Sequence, residues 1–312
     1  MTKTVNTRRG YKNQMKIKLS IKPINKRTDG EPKACEGSFE KSLACILPVA
    51  VYYFLSVFLT YGAGYIIAGT NFGGKRTADF VTEHSMGVSA AIRIAVVIIA
   101  VLPLIPGLLG EKIILFQKKD CNYRNRLKRG ICVVLLAGAL AVFFNVLFSL
   151  TGLTSVSEDF GNTAAKQMAF PLSLGLLVYG LINPITEEIV FRGVVYNRLR
   201  RFYGFKIAVV AAPLLFGISH GNFVQLLYGF LMGVVLCLLY ERLGSFIYVC
   251  LFHIVANSTV YIIMKSSSMK EAVGTVGVIV VTGIISLFTG ILLFAERKTD
   301  VIPKEKTDMH TD

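Results

Sequence analysis

Long apolar runs alternate with short polar connections along most of the chain. Each run is close to ~20 residues, which is the length an α-helix needs to cross the hydrocarbon core of a bilayer. The pattern predicts an all-α fold, a polytopic transmembrane helical bundle whose termini are both cytoplasmic. We predict eight spans, at residues 42–68, 86–109, 130–150, 168–191, 207–221, 223–240, 246–264 and 273–294.

The polar positions divide the chain into three parts. Residues 1–41 are predicted to form a basic cytoplasmic tail, residues 42–295 a transmembrane domain, and residues 296–312 a polar C-terminal tail. Basic and neutral connections alternate between the spans. Counting Lys and Arg, there are seven in 110–129, five in 192–206, two in 69–85 and one in 151–167. The positive-inside bias places the basic connections in the cytoplasm.

Composition narrows the class of protein and its partners. Apolar residues make up 53% of the chain and charged residues only 17%, as expected of a membrane protein. The net charge of +15 is concentrated in the N-terminal tail and the connections, where it can meet anionic lipid headgroups. We therefore expect membrane lipid as a partner and no nucleic acid. Short polar loops without an organelle-retention signal favour a bacterial plasma membrane.

The six cysteines include no C-x-x-C pair, and several lie inside apolar runs. This favours small apolar side chains within the bundle over a disulfide framework or a zinc ribbon.

Two adjacent carboxylates lie within a predicted span, where each ionisable group costs at least ~2.5–3.5 kcal/mol. Arg192 follows Glu188 by four residues, so the two share a helix face and can form an ion pair. Glu187 then points about 100° away around the helix and can face a cavity as a general base. The alternative is that both glutamates are solvated at the cytoplasmic interface.

Two of the four histidines in the chain are embedded in apolar segments. Phe216 lies one turn before His220, so its ring can pack beside the imidazole. Asn257 lies one turn after His253, where it can hydrogen-bond a substrate carbonyl, a water or a neighbouring polar group. A packing role is the plain alternative for either histidine alone, but the combination with the Glu pair favours a functional site.

Three blocks of this kind occur in order, each in its own predicted span: Glu187-Glu188-x-x-x-Arg192, Phe216-x-x-x-His220 and His253-x-x-x-Asn257. Together they resemble the signature of the CPBP intramembrane metalloproteases, also called Abi proteins, which include the type II CAAX prenyl endopeptidases. The resemblance covers about residues 165–262. It implies a helical membrane protease in which a glutamate and two histidines activate a water for hydrolysis of a peptide bond.

The resemblance also implies a role for each catalytic residue. Glu187 would be the general base, and His220 and His253 would bind or orient the water or a metal ion. Asn257 would help to hold the tetrahedral oxyanion, while Arg192 would fix the neighbouring carboxylate of the Glu pair.

A zinc ion is one alternative for this site, held by His220, His253 and Glu187. Catalytic zinc usually takes three protein ligands and a water, and no H-E-x-x-H motif occurs in the chain. A metal-free site built on the glutamate and the histidines is equally consistent with the sequence.

The predicted function is therefore an intramembrane endopeptidase acting on a membrane-associated peptide or protein, with a site open towards the cytoplasm. One alternative is a non-catalytic bacteriocin-immunity or scaffold protein of the same family, and another is a proton-coupled transporter. Gly217-x-Ser219-x-Gly221 also matches a serine nucleophile elbow, although that motif needs a strand–turn–helix context.

The depths of these residues conflict in a simple bundle. If a helix starts at Ile207 at the cytoplasmic face, His220 lies ~20 Å deep, whereas Glu187 and His253 lie only ~8–10 Å deep. We therefore expect either that this helix begins below the interface or that Pro213 kinks it.

Overall fold

The structure is a computed structural model that describes residues 37–69, 81–110 and 123–295. Most of the predicted N-terminal tail, the predicted C-terminal tail and parts of two connections lie outside these ranges. Every secondary-structure element within the described ranges is a helix. The all-α prediction is therefore confirmed.

Apolar runs of the expected length form the long helices. Among the described residues, seven helical stretches are long and apolar enough to cross a membrane, which supports an integral membrane protein. Helix α1 spans Ser38–Gly69. Helix α2 (Ser85–Val101) continues through a 3-10 turn (Leu102–Leu104) into α3 (Ile105–Gly110). Helix α4 spans Tyr123–Leu150 and a short helix, α5, spans Glu158–Met168.

A 47-residue stretch, Leu172–Ile218, contains two of the predicted spans. At 1.5 Å per residue its length is about 70 Å, more than twice the hydrocarbon thickness. Gly204 interrupts it with φ 81° and ψ 178°, angles essentially confined to glycine. The eight predicted spans are thus found as seven stretches, because two of them are joined through this break. The non-helical angles fall at Gly204 and not at Pro213.

Within this stretch the helical winding changes several times. Helix α6 (Leu172–Gly175) leads into a π-helical segment, Leu176–Ile182, and then into α7 (Asn183–Glu188). A second π-helical segment, Ile189–Tyr196, precedes α8 (Asn197–Ile218). The remaining helices are α9 (Phe223–Leu243), α10 (Phe246–Lys265), α11 (Ser267–Val273) and α12 (Val276–Ala295).

One end of the bundle, which we call the basic end, gathers the start of α4, the middle of the 47-residue stretch and the α9–α10 connection. Arg200 Nε donates to Glu241 Oε1 at 2.7 Å, and the hydroxyl of Tyr196 donates to the same oxygen at 2.8 Å. The hydroxyl of Tyr248 donates to the carbonyl of Arg126 at 3.1 Å. These contacts bring together the two connections that are richest in Lys and Arg.

The opposite end, which we call the α5 end, carries an amphipathic helix that the sequence analysis treated as a connection. Ser157 caps α5 by accepting from the amide of Phe160 at 3.3 Å. Tyr261, near the end of α10, donates to the carbonyls of Gln167 and Phe170 at 3.2 and 3.0 Å. Helix α5 is therefore tied to the end of α10 and lies across the bundle there.

Side-chain packing is densest towards the basic end. All seven side chains of residues 190–196 are buried, because α1, α8 and α9 pack around this segment. Cys45, Cys132, Cys237 and Cys250 are free thiols, all buried or half-buried, as expected of small apolar side chains. The outer faces of α1 and α12 instead expose large apolar side chains such as Phe58. Such faces fit contact with lipid acyl chains.

Candidate active site

The Glu pair lies on α7, between the two π-helical segments. Glu188 and Arg192 are fully buried, with exposed fractions of 0% and 1%. Arg192 Nη1 donates to Glu188 Oε1 at 2.7 Å, as the i,i+4 spacing predicted. Glu187 points away from this pair and is only half-buried. Solvation of both glutamates at an interface is therefore wrong, because Glu188 is enclosed by protein.

Arg192 is held on three sides, which is how a buried guanidinium is tolerated. Its Nη2 donates to the carbonyl of Gly233 at 3.1 Å, and its charged group lies 4.9 Å from the ring centre of Phe216. A Cβ at Gly233 would lie 2.9 Å from Pro213 Cβ and 3.3 Å from Arg192 Nη2. Glycine at this position therefore lets α9 approach closely enough for its backbone to accept from the arginine.

His253 connects the buried pair to the second glutamate. Its Nδ1 lies 2.7 Å from Glu188 Oε1. Because a carboxylate only accepts, Nδ1 carries the hydrogen. In the neutral ring Nε2 therefore carries none and lies on the side away from Glu188. His253 Nε2 then faces Glu187 Oε2 at 3.6 Å. That distance is too long for a direct hydrogen bond, but a single water can contact both atoms.

His220 lies in the turn that follows α8. Its Nδ1 is 2.8 Å from the carbonyl of Phe216, so this nitrogen also carries the hydrogen and Nε2 is left without it in the neutral ring. The ring of Phe216 contacts both imidazoles edge-on, at 4.8 Å from His220 and 5.7 Å from His253. The predicted packing of Phe216 beside His220 is confirmed.

Two neighbouring cavities meet at these side chains. The larger, of about 190 Å³, is lined by Glu187, His220 and Asn257 among others. The smaller, of about 40 Å³, is lined by His220, His253 and Asn257. Because His220, Tyr228 and Asn257 line both cavities, the cavities adjoin. Four of the six predicted catalytic residues therefore converge on one space, while Glu188 and Arg192 support it from behind.

Asn257 is positioned by the backbone of the first π-helical segment, Leu176–Ile182. Its Nδ2 donates to the carbonyl of Tyr179 at 3.3 Å. An amide nitrogen carries two hydrogens, so one of them remains available to a molecule in the cavity. The shared face of His253 and Asn257 is confirmed, since both side chains line the smaller cavity.

The donor set at the site does not fit a zinc ion. Across the described ranges, no group of three or more His, Cys, Asp or Glu side chains is arranged to hold a metal. Catalytic zinc requires three protein ligands around one point. His220, His253 and Glu187 are therefore not arranged as the three ligands of a zinc ion.

Ser219 does not take part in the site. Its hydroxyl donates to the carbonyl of Phe216 at 2.6 Å, and its side chain is not among those that line either cavity. It lies at the end of α8, and the strand that a nucleophile elbow requires is absent from the described part of the chain.

Sequence reasoning missed several residues that line the cavities. Asn183 lies one turn before Glu187 and lines the larger cavity. Its Oδ1 is buried and has no hydrogen-bond partner among the described residues. The i,i+4 spacing to Glu187 could have indicated it. Tyr228 lines both cavities, and Gln225, three residues before it, was too weak a signal to single it out.

Comparison with known proteins agrees with the motifs. Residues 169–259 match the family model described as "Type II CAAX prenyl endopeptidase Rce1-like", and this range contains all three blocks. The chain is 26% identical over 210 residues to a protein of Bacillus subtilis (strain 168) named "Putative membrane peptidase YdiL". That alignment covers 64% of this chain and 80% of the other protein. No solved structure matches the chain.

Both matches support a membrane protease in general. The resemblance to the CPBP family of intramembrane proteases that the three blocks predicted is therefore confirmed over the region that contains them.

Proposed function

We propose that the chain is an intramembrane endopeptidase that hydrolyses a peptide bond in a membrane-associated peptide or protein. The observation that carries this proposal is the convergence of Glu187, His220, His253 and Asn257 on two adjoining cavities. The bacterial origin of the related peptidase favours a bacterial plasma membrane.

Glu187 is the general base in this proposal. In this proposal a water contacts both Glu187 Oε2 and His253 Nε2, which are 3.6 Å apart, and His220 orients it from the cavity wall. Glu187 takes a proton as the water oxygen attacks the carbonyl carbon of the peptide bond. The C–N bond then breaks, and the same proton passes to the nitrogen of the leaving amine.

Asn257 stabilises the negative charge that develops on the carbonyl oxygen. Its second Nδ2 hydrogen is not used by the bond to Tyr179, and the side chain lines both cavities. Removing one such donor typically costs about 2.7–4 kcal/mol of transition-state stabilisation. The donor is already fixed in place, so little reorganisation accompanies the reaction.

Glu188 and Arg192 act through His253 and not on the substrate. The buried carboxylate fixes the hydrogen on His253 Nδ1, and the guanidinium balances its charge at 2.7 Å. The imidazole is thereby held with Nε2 towards Glu187. We propose a site that works without metal, so a chelator should leave activity unchanged.

The test compares the wild-type chain with Glu187→Gln, both purified in detergent, on a panel of peptides that includes prenylated ones. The matched control is Glu271→Gln, which changes an exposed glutamate on α11. We expect cleavage by the wild type and the control, and none by Glu187→Gln, with the same thermal unfolding midpoint in all three.

Full activity of Glu187→Gln would contradict the proposed mechanism. Absence of cleavage by the wild type on every peptide would favour the non-catalytic immunity or scaffold function. In that case, any biological activity of the chain should survive both Glu187→Gln and His253→Ala.

A further inference from the structure

We propose that the active site receives its peptide from the α5 end of the bundle, which lies on the non-cytoplasmic face of the membrane. The substrate class would then be peptide segments exposed outside the cytoplasm. This inference rests on the proposed function for the reaction, but the route into the cavity can be tested without it.

The route from the basic end is closed by packed side chains. Between the Glu pair and that end lie residues 190–196, whose side chains are all buried. Facing helices add Leu239 from α9 and Val249 from α10, each with an exposed fraction of 0%. A peptide approaching from this side would have to open the densest part of the bundle.

The larger cavity extends in the other direction, towards α5. Phe160, Ala164, Gln167 and Met168 line it, and their spacing places them on one face of α5. These four side chains are half-buried, whereas Gly161, Asn162, Ala165 and Lys166 on the other face are exposed. Helix α5 thus forms one wall of the cavity where the bundle meets its surroundings.

Other helices line the cavity with their ends nearest to α5. Helix α4 contributes Asn145 and Phe148 shortly before it ends, and α9 contributes Val224 and Gln225 as it begins. From α10 the cavity takes Asn257 and residues that follow it. Asn257 precedes the end of that helix by eight residues, or about 12 Å. The cavity therefore occupies the half of the bundle that faces away from the basic end.

Charge assigns these two ends to the two faces of the membrane. The connections 110–129 and 192–206 hold seven and five Lys or Arg residues, whereas 151–167, which includes α5, holds one. The positive-inside bias therefore places the basic end in the cytoplasm and the α5 end outside it. The sequence analysis expected a cytoplasmic opening because the Glu pair adjoins a basic connection, and the cavity lining does not support that expectation.

The lining also indicates the chemistry of the segment that enters. Most of the wall area is apolar. Polar side chains near the Glu pair are Asn183, Glu187, His220 and Asn257, and those elsewhere in the wall are Asn145, Thr154, Gln167 and Gln225. An apolar segment of the peptide can contact this wall as its backbone reaches the polar groups. We therefore infer an exported or membrane-anchored polypeptide with an apolar cleavage segment on the non-cytoplasmic side.

The first experiment measures access to the cavity with introduced cysteines. Val260→Cys reports from within the larger cavity and Ala164→Cys from its α5 wall, while Lys206→Cys is an exposed control near the basic end. Each full-length variant is treated in intact cells, and again after permeabilisation, with a small cationic thiosulfonate that does not cross membranes. The parent chain, with its own six cysteines, gives the background.

We expect Val260→Cys and Ala164→Cys to react in intact cells and Lys206→Cys to react only after permeabilisation. Reaction of Val260→Cys only after permeabilisation, in step with Lys206→Cys, would overturn the inference. Equal reaction of Lys206→Cys in intact and permeabilised cells would also overturn it, because the basic end would then be outside.

A second experiment separates this inference from the proposed function. The Lys206→Cys variant is first shown to cleave a peptide in detergent and is then reconstituted into liposomes, with its orientation determined by the reaction of the introduced thiol. A membrane-impermeant version of that peptide should be cleaved only when it is presented on the α5 side. Cleavage only from the basic side overturns the route, whereas no cleavage even in detergent overturns the proposed function.

Discussion

A buried arginine–glutamate pair organises the residues of the site. Arg192 contacts Glu188, the carbonyl of Gly233 and the ring of Phe216, and Glu188 contacts His253. Charges this deep in a bundle are tolerated when partners surround them. The two nitrogens of the guanidinium reach two acceptors on different helices, a geometry that a lysine ammonium cannot reproduce.

We predict that Arg192→Lys lowers the free energy of unfolding by roughly 1.5–3 kcal/mol, the usual contribution of a hydrogen bond to a charged group. The measurement is unfolding of the detergent-solubilised protein by SDS titration. Peptidase activity should fall as well, because Glu188, which holds His253, is then less firmly fixed. The control is Arg200→Lys, whose pair with Glu241 is 44% exposed on the arginine side. An exposed pair contributes only about 0–1 kcal/mol, so equal losses in both variants would contradict this explanation.

We also predict that Asn257→Ala reduces kcat by about 10²–10³-fold, because one oxyanion donor is removed. Stability should change little, since its hydrogen bond to Tyr179 is long, at 3.3 Å. Ser258→Ala is the matched control, because the neighbouring hydroxyl contacts the carbonyl of Gly180 at 3.5 Å and Ser258 is absent from the lining of both cavities. A rise in KM with an unchanged kcat would instead assign Asn257 to substrate binding.

At the scale of elements, the crossing of α8 and α9 fixes where His220 lies. A Cβ at Gly217 would lie 2.5 Å from the carbonyl oxygen of Leu226. Because that atom belongs to the backbone, it cannot move aside as a flexible side chain can. The turn that carries His220 begins just after this crossing, so the spacing of the two helices sets the position of the imidazole.

We predict that Gly217→Ala destabilises the protein by about 1–3 kcal/mol, the usual cost of overpacking, and lowers activity by displacing His220. Gly130→Ala is the control, since Gly130 lies on α4 with nothing within 4 Å of an added Cβ. That change should leave stability unchanged or raise it by up to ~1 kcal/mol, because alanine favours a helix. Comparable loss in both variants, measured by the same SDS titration, would argue against the close approach as the cause.

The elements also show where local pattern was insufficient. The apolar runs predicted every long helix, because the length of a membrane span leaves little freedom. They did not predict α5, which is eleven residues long, mostly polar or small, and has no buried side chain. Nor did they predict the break at Gly204, because a glycine in a polar connection has no distinctive local pattern.

At the scale of the whole molecule, the two ends of the bundle differ in packing. The basic end is filled by large buried side chains, and the larger cavity occupies the other half. A protein built in this way has one rigid end and one end able to admit a ligand. Its free thiols provide a direct measure of that difference.

We predict that Cys237 does not react with a maleimide in the folded, detergent-solubilised protein and reacts fully after denaturation in SDS. It is completely buried on α9, within the packed half. The exposed thiol of Lys206→Cys, in the same sample, should react before denaturation. Labelling is read by mass spectrometry of the peptide that contains each cysteine. Rapid reaction of Cys237 in the folded state would mean that the basic end is open.

The sequence by itself determined the class of fold and most of the site. Apolar runs of about 20 residues specify spans, because a bilayer has a fixed thickness and backbone groups must be satisfied within a helix. Helical spacing also paired Glu188 with Arg192, and Phe216 with His220, because i and i+4 share a face. Charged and polar residues inside apolar runs indicated function, because the membrane makes them costly.

Only the tertiary structure decided how these pieces combine. The contact of His253 with Glu188, 65 residues apart, depends on how α7 packs against α10 and not on any local pattern. The direction in which the cavity opens depends on α5 and on the ends of several helices. Sequence spacing gives depth along one helix only, so it placed the site near the basic end. The arrangement of all the helices opens the larger cavity of the site towards the other half of the bundle.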